Sequence, residues 1–296
     1  MELCSICGAG PLEARAYPIS AVPGNLKFDS IQICNACGFG RVCPMPTQPE
    51  LDQYYEGGTY WQSVGNSRVN FMHQLVQSLV RVQRIAPNFA GRSALRVLDV
   101  GAGSATILTA LLKRLSGVQL GYSFVEPDEA SAHAVLQRHP DAAKRVSSLG
   151  DDHTTYDVVF VNHVLEHVCE PAGFLELIFG KLAKGGLAYV EVPNSDYRFK
   201  SNVFPHTLFF TQKSLRLLAA KVGYEVLEVR VFGNVSSLAP GGLAMRLRNK
   251  IASVFFRGFV ALGIERGAVF CDRQVFGYRD ADDGIWLRAV LRRPQE

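Results

Sequence analysis

RVLDVGAGSATILTALLKRL, residues 96–115, is the stretch on which the fold turns. Val97 to Val100 is a short apolar run of strand type, Gly101 and Gly103 open a turn, and Thr106 to Leu115 carries apolar residues at helical spacing. Strand, glycine turn and helix in that order make the first half of a β-α-β unit. Such a unit binds ligands just beyond the carboxyl end of its strand.

The same alternation continues down the chain. GYSFVE (121–126), YDVVFVN (156–162), GGLAYVEVP (185–193), YEVLEVRVF (224–232) and IWLRAVLRR (285–293) read as strands. Segments 127–138, 171–182 and 211–222 read as helices between them. Alternating strands and helices predict an α/β fold, a doubly wound parallel sheet covered on both faces. Upstream, residues 66–86 place Phe71, Leu75, Leu79, Val82 and Ile85 on one helical stripe, with Pro87 just beyond.

The front of the chain is different. Cys4-x-x-Cys7-Gly8 and Cys34-x-x-Cys37-Gly38 are two matched knuckles, and residues 1–45 carry little periodicity. Two such knuckles supply four thiolates, the closed tetrahedral set of a structural zinc site with no position left for a catalytic water. Cys43 reads as a bystander; Cys169 and Cys271 read as packing residues. Three segments follow: a zinc-binding module at 1–48, a linker and helical lead-in at 49–92, and the α/β domain at 93–296 with a helical insertion at about 236–270.

Bulk properties set limits. The chain has 296 residues, 48% hydrophobic and 20% charged, with a formal net charge of +4, which fits a globular protein without a strong basic face. No basic region followed by an apolar run opens the chain, and no apolar stretch reaches spanning length, so a cytoplasmic location is expected. In that reducing setting paired cysteines are metal ligands rather than disulfides.

The glycine loop discriminates between cofactors. A dinucleotide fingerprint needs glycine at position 106, where this chain has Thr106. Asp99, just before Gly101, suits a cationic group such as the ammonium of S-adenosyl-L-methionine. Glu126 ends the second strand, where a carboxylate accepts both ribose hydroxyls. Asp151 and Asp152 beside His153 read as a solvated turn.

These motifs resemble the class I methyltransferases of sugar, polysaccharide, quinone and natural-product pathways. LDVGAGSA looks like that family's cofactor loop, with Ala105 where a third glycine is common. YDVVFVNHVLEHV, LAKGGLAYVEVPN and PHTLFFTQKSLRLLAAKVGYEV look like its later segments, and the cysteine-rich front is similar to zinc modules preceding sugar C-methyltransferase domains. The chain departs from the longer sugar C-methyltransferases by ending soon after the sheet. The resemblance implies a Rossmann-like, mostly parallel seven-stranded sheet behind a zinc-ribbon-like module. It implies S-adenosyl-L-methionine as cofactor, held by Asp99, Gly101, Ala102, Gly103, Glu126 and Asn162. Structural Zn2+ would sit on Cys4, Cys7, Cys34 and Cys37.

The methyl would go to O or C of a small-molecule, sugar, glycan or lipid-linked acceptor. His206, in the aromatic loop NVFPHTLFF, is the first choice of general base, with His163 and Glu166 as further catalytic candidates. A purely structural His206 that orders its loop is the alternative, and His167 reads as structural. Residues 242–264 place Leu243, Leu247, Ile251, Val254, Phe255 and Leu262 on one stripe, with Arg246, Lys250 and Arg257 opposite. That pattern fits a lid packed over the substrate pocket, or peripheral contact with an anionic membrane such as the inner membrane surface.

Three rivals remain. An RNA methyltransferase gripping RNA through the zinc module is disfavoured, because that module offers only Arg15, Lys27 and Arg41. The others are a non-catalytic scaffold and an NAD-dependent oxidoreductase.

Overall fold

The computed structural model describes residues 3–18, 26–56, 68–233, 243–276 and 284–295. The chain opens with three antiparallel strands, β1 (Leu12–Ala16), β2 (Ser30–Cys34) and β3 (Gly40–Cys43), then helices α1 (Gln48–Glu56) and α2 (Arg68–Ile85). The α/β run follows: β4 (Ala94–Val100), α3 (Thr106–Arg114), β5 (Gln119–Val125), α4 (Glu129–Arg138), β6 (Ala143–Arg145), β7 (Tyr156–Asn162), α5 (Pro171–Lys181) and β8 (Leu182–Pro193). It closes with β9 (Leu208–Phe209), α6 (Gln212–Val222), β10 (Glu225–Phe232), α7 (Leu243–Ala261), α8 (Glu265–Phe276) and β11 (Trp286–Arg292).

Seven strands form the main sheet in the order β10-β11-β8-β7-β4-β5-β6. The pairs of β4 with β5 and β7, of β5 with β6 and of β7 with β8 are parallel, while β11 runs antiparallel to both β8 and β10. The expected doubly wound, mostly parallel sheet is therefore present.

Why both faces are covered is visible in the strands. Val158 and Phe160 of β7 pack with α2 and α3 on one face, and Val159 and Val161 pack with α5 and α6 on the other. Successive side chains of a strand point to opposite faces, so a strand that is apolar at every position must be buried on both.

The cysteine-rich front does not stand apart. β9 adds to its sheet as a fourth strand, pairing Gly40 with Phe209 and Arg41 with Leu208. Cys4, Ile6, Cys34, Cys37 and Phe39 share one core with Leu208, Phe210 and Leu215 of the main domain. Thr211, whose side chain caps α6, also donates to the Cys37 carbonyl at 2.6 Å.

The insertion expected at about 236–270 is a helical hairpin, α7 and α8, packed on α2. The His73 ring stacks on Phe256 at 4.0 Å, and its Nδ1 lies 2.5 Å from the buried Asp272 carboxylate. The buried face carries Phe256 and Val260. The stripe picked out in the sequence is the opposite face: Leu247, Ile251, Val254, Phe255 and Leu262 are 49–75% exposed. The side chains of Leu243 and Arg246 lie outside the described residues.

Candidate functional site

A cavity of about 1010 Å³ lies beyond the carboxyl ends of β4, β5 and β7. Its wall includes all six residues expected at the cofactor: Asp99, Gly101, Ala102, Gly103, Glu126 and Asn162.

The glycine loop is held against the end of β5. Gly101 N–H donates to the Val125 carbonyl at 2.8 Å, and Gly103 N–H donates to a Glu126 carboxylate oxygen at 2.8 Å. Gly101 sits at φ +71°, and a Cβ there would meet Val164 Cγ2 at 2.6 Å. Only glycine meets both demands, so the loop's identity is set by backbone conformation and by crowding. The second glycine is at φ +52° and Ala105 at φ +50°.

Glu126 is buried and accepts a second backbone hydrogen bond from Asp128 N–H at 3.0 Å. A carboxylate oxygen carries two lone pairs, so each oxygen retains capacity for a ligand hydroxyl. Asn162 Oδ1 is buried with no hydrogen-bond partner, a polar atom awaiting a ligand or water. Asp99 is buried and accepts from the Tyr122 hydroxyl at 2.6 Å. Burial pushes its carboxyl up to about 7, with the Tyr122 hydrogen bond and Arg81 opposing and Glu126 adding to the rise. An ammonium ion is the partner that such a carboxyl lacks. The residues present thus fit S-adenosylmethionine: an acid for its ammonium, an acid for its ribose, and a loop without side chains for close approach.

Under this wall runs a chain of alternating charges. Arg81 on α2 grips Glu191 of β8 with two hydrogen bonds of 3.0 and 2.5 Å. Glu191 lies 3.3 Å from His163 Nε2, and His163 Nδ1 lies 3.2 Å from Glu166. Burial opposes the charge on His163, but the carboxylates of Glu166 and Glu191 outweigh it and raise the imidazole to about 9. Burial likewise opposes the charge on Glu191; Arg81 and His163 outweigh it and hold the carboxyl well below its ordinary range. His163 is thus held as a cation between two anions.

The three catalytic candidates come together, though not in one role. His163 lines the cavity; Glu166 and His206 lie behind its wall. His206 Nδ1 is 3.1 Å from Asp196, and its ring packs edge-on against His167 at 5.0 Å. The member of this group that joins His163 on the cavity wall is His167, read from sequence as structural. Tyr55, also on the wall, bonds His167 Nδ1 through its hydroxyl at 2.7 Å. Burial pushes His167 down to about 4. Asp152 accepts from Tyr156 OH and Thr154 N–H, as a turn residue does.

Arg81, Tyr122 and Glu191 were missed by sequence reading. A signal existed for two of them: Glu191 interrupts an otherwise apolar strand, and Arg81 lies beside the apolar stripe of α2. A charged residue inside a buried segment calls for a partner.

At the front, the four cysteine sulfurs lie within 4.8 Å of one another. Cys4 Sγ and Cys37 Sγ are 3.6 Å apart, as are Cys7 Sγ and Cys34 Sγ. Gly8 and Gly38 follow the knuckles at φ +73° and +74°. The set suits a tetrahedral thiophilic ion.

Comparison with known proteins agrees with this geometry. The chain is 31% identical over 112 residues to the ubiquinone biosynthesis O-methyltransferase of Psychrobacter arcticus and 30% to that of Psychrobacter cryohalolentis. Each match covers 35% of this chain and 43% of the relative, so the chain spans under half the length of these relatives. Solved structures share the fold at low identity. The plantazolicin methyltransferase BpumL, in complex with SAH, superposes with a TM-score of 0.51 at 14% identity, over 82% of this chain and 94% of its own. Coclaurine N-methyltransferase, bound to N-methylheliamine and SAH, gives 0.52 at 13%, over 83% and 89%. The cyclase SpnF gives 0.52 at 13%, over 85% and 97%, so this fold alone does not name the reaction. The profile of the methyltransferase-domain family matches residues 71–229, which span the cofactor loop, the charged chain and His206. The chain therefore belongs to the methyltransferase-domain family.

Proposed function

We propose that this protein transfers a methyl group to a hydroxyl oxygen of a small phenolic or otherwise hydroxylated acceptor. The observation that carries this reading is the continuity of one cavity from the glycine loop to His167, Tyr55 and Phe174. The O-methyltransferase relatives favour oxygen over carbon. S-adenosylmethionine supplies a methyl on a positively charged sulfur, a good leaving group. The acceptor oxygen forms the new O–C bond as the C–S bond breaks, and the hydroxyl proton must leave. His167, neutral at pH 7 and on the wall, takes that proton at Nδ1 through the Tyr55 hydroxyl bonded to it. Glu166 and His206, the latter the first choice of base from sequence, orient His167 from behind instead, and the cationic His163 anchors Glu166. Asp99, Glu126 and Asn162 hold the cofactor.

A glycan or lipid-linked acceptor is the second reading, favoured by one observation. The outer face of the α7–α8 hairpin exposes Leu247, Ile251, Val254, Phe255, Leu262 and Phe270 beside the exposed cations Lys250, Arg257 and Arg266. No helix among the described residues is long and apolar enough to cross a membrane. A large apolar patch rimmed by basic charge suits the surface of an anionic bilayer.

One assay separates these readings. The protein is given methyl-labelled S-adenosylmethionine with catechols, nucleotide sugars or transfer RNA, with and without phosphatidylglycerol vesicles. Label is expected on the catechol oxygen, and His167→Ala is expected to lower kcat by about 10²-fold. Label only on sugar or RNA would overturn the acceptor class. Co-sedimentation with anionic but not neutral vesicles, lost in Val254→Asp, is expected for the bilayer contact; no sedimentation removes it.

We also infer that the four cysteines bind structural zinc, as their spacing and mutual distances favour. Purified protein should hold one zinc more than a Cys34→Ser variant. Because this site shares a core with α6 and β9, chelation should lower the Tm of the whole domain. Zinc-free native protein with an unchanged Tm would refute the assignment.

A further inference from the structure

The methyl-transfer reading gives the cluster of Glu166, His167 and His206 a part in proton transfer but leaves one buried carboxylate oxygen of Glu166 without a partner. Glu166, His167 and His206 each present a ligand atom, and the three atoms lie within 4.8 Å of one another. His167 Nε2 is 3.9 Å from Glu166 Oε1. Glu166 is 1% exposed, and its Oε2 has no hydrogen-bond partner. A buried carboxylate oxygen without a donor is costly, and structures tolerate one chiefly where something binds it.

We propose that Glu166, His167 and His206 form a binding site for a divalent transition-metal ion against the acceptor side of the cavity. Two imidazoles and one carboxylate make a set with open positions, suited to Mn2+, Fe2+, Co2+ or Zn2+. Metal-bound histidines usually engage an outer partner through their second nitrogen, which fixes the ring. The His167 ring has one, and the His206 ring has an acidic neighbour at charge-pair distance but no hydrogen bond to it. Tyr55 OH bonds Nδ1 of His167 at 2.7 Å, and Asp196, itself held by Lys200 at 2.8 Å, sits 3.1 Å from Nδ1 of His206. Nε2 of His167 is then its ligand atom, and Glu166 has Oε2 left for the ion, since Oε1 is engaged by His163.

The two segments that carry these ligands are clamped together. Thr207 N–H and Thr207 Oγ1 both donate to the Glu166 carbonyl, at 2.9 and 3.0 Å, and Thr207 Oγ1 also reaches the Val168 carbonyl at 3.1 Å. The ligands are therefore positioned by backbone bonds rather than by long mobile side chains. An ion must still displace the Pro205 carbonyl, which also faces His167. His167 and Tyr55 line the cavity, so an open position on the ion faces the acceptor. An acceptor hydroxyl bound there gives up its proton more readily, since a Lewis acid stabilises the oxyanion. This consequence rests on the proposed methyl transfer to oxygen, with the ion then taking over from His167, now its ligand, the task of activating the hydroxyl, whose proton leaves to solvent; binding of the ion does not rest on that reading.

Binding is therefore tested without turnover. Full-length protein, with its cysteine site loaded with zinc, is titrated with Co2+ by optical spectroscopy and with Mn2+ by electron paramagnetic resonance. One further equivalent per chain is expected, with a Co2+ spectrum lacking the thiolate charge-transfer bands of a cysteine site. Glu166→Gln and His206→Gln should abolish that equivalent while zinc content and circular dichroism stay unchanged. If both ligand variants misfold, Tyr55→Phe decides, because losing the outer partner should weaken Co2+ about 10- to 100-fold. No second equivalent at millimolar Co2+ or Mn2+, or binding unaffected by Tyr55→Phe and the foldable ligand variants, overturns the site. Metal binding without methyl transfer to any hydroxylated acceptor would leave the site standing and remove the O-methyl reading instead.

Discussion

Arg81→Met is expected to destabilise the protein by about 3–5 kcal/mol, because it takes from the buried Glu191 its bidentate partner and leaves only His163 and Tyr189 beside that anion. Both side chains are under 10% exposed, and no solvent replaces the two hydrogen bonds of 3.0 and 2.5 Å. For a chain of this size that loss corresponds to a Tm lower by roughly 10 °C. The diagnostic variant is the double substitution Arg81→Met with Glu191→Leu. The under-partnered buried charge is the main penalty in the single variant, so removing it should return more than half of the lost stability. His163 loses one of its two anions in the double variant, and full recovery is not expected. Urea unfolding of the three proteins checks this. A double variant as unstable as the single would mean that packing around Arg81, not its charge, was decisive.

The second large effect concerns the cofactor. Glu126→Ala removes the acceptor proposed for the ribose together with the acceptor of the Gly103 amide. Each charge-assisted hydrogen bond is worth about 1.5–3 kcal/mol, so S-adenosylmethionine affinity should fall by on the order of 10²-fold or more. Asp99 adds a pH signature. Its carboxyl is raised to about 7, with Tyr122, Arg81 and Glu126 as the ionisable groups facing it. A raised acid favours the protonated form in the folded protein, so its contribution to stability is complete in acid and is lost as pH rises through 7. Cofactor binding runs the other way. The ammonium demands an ionised Asp99, so affinity should rise by up to about tenfold per pH unit below 7 and flatten above it. Calorimetry at pH 6 in buffers of different ionisation enthalpy should show a proton released on binding. Asp99→Asn should bind weakly and without that slope; equal slopes in both proteins would move the titrating group elsewhere.

These two expectations differ in how they could be found. Asp99 and Glu126 were legible as residues of the cavity beside the glycine loop, because their positions follow from strand ends next to a glycine turn. Arg81 and Glu191 lie 110 residues apart, and no local pattern joins them. The edge strand β6 was equally silent: Ala143, Lys144 and Arg145 carry no apolar alternation, and only parallel pairing with β5 makes them a strand. His167 was read as structural on its spacing from His163. The 3-10 turn Leu165–His167 separates them instead, leaving His163 against Glu191 and His167 against Tyr55 and His206.

The outward stripe of α7 makes the same point from the opposite side. Its apolar periodicity was plain, but periodicity cannot say which face turns inward when a helix is apolar on two sides. Phe256 and Val260 reach α2 and its neighbours, and the stripe is left outside.

By itself the sequence determined the class of fold, the cofactor loop and the four-cysteine set. Each depends on patterns among near neighbours: strand and helix periodicity, glycines where a Cβ has no room, and thiols three residues apart in each knuckle. Tertiary structure alone decided which titratable groups meet. It seated the cysteine hairpin on β9 and α6, threaded Arg81, Glu191, His163 and Glu166 into one line of alternating charge, and closed Glu166, His167 and His206 on one another. Those encounters depend on how the β7–α5 turn, the β8–β9 loop and helix α2 are placed by the packed sheet, and a buried charge takes its chemistry from whatever that packing brings beside it.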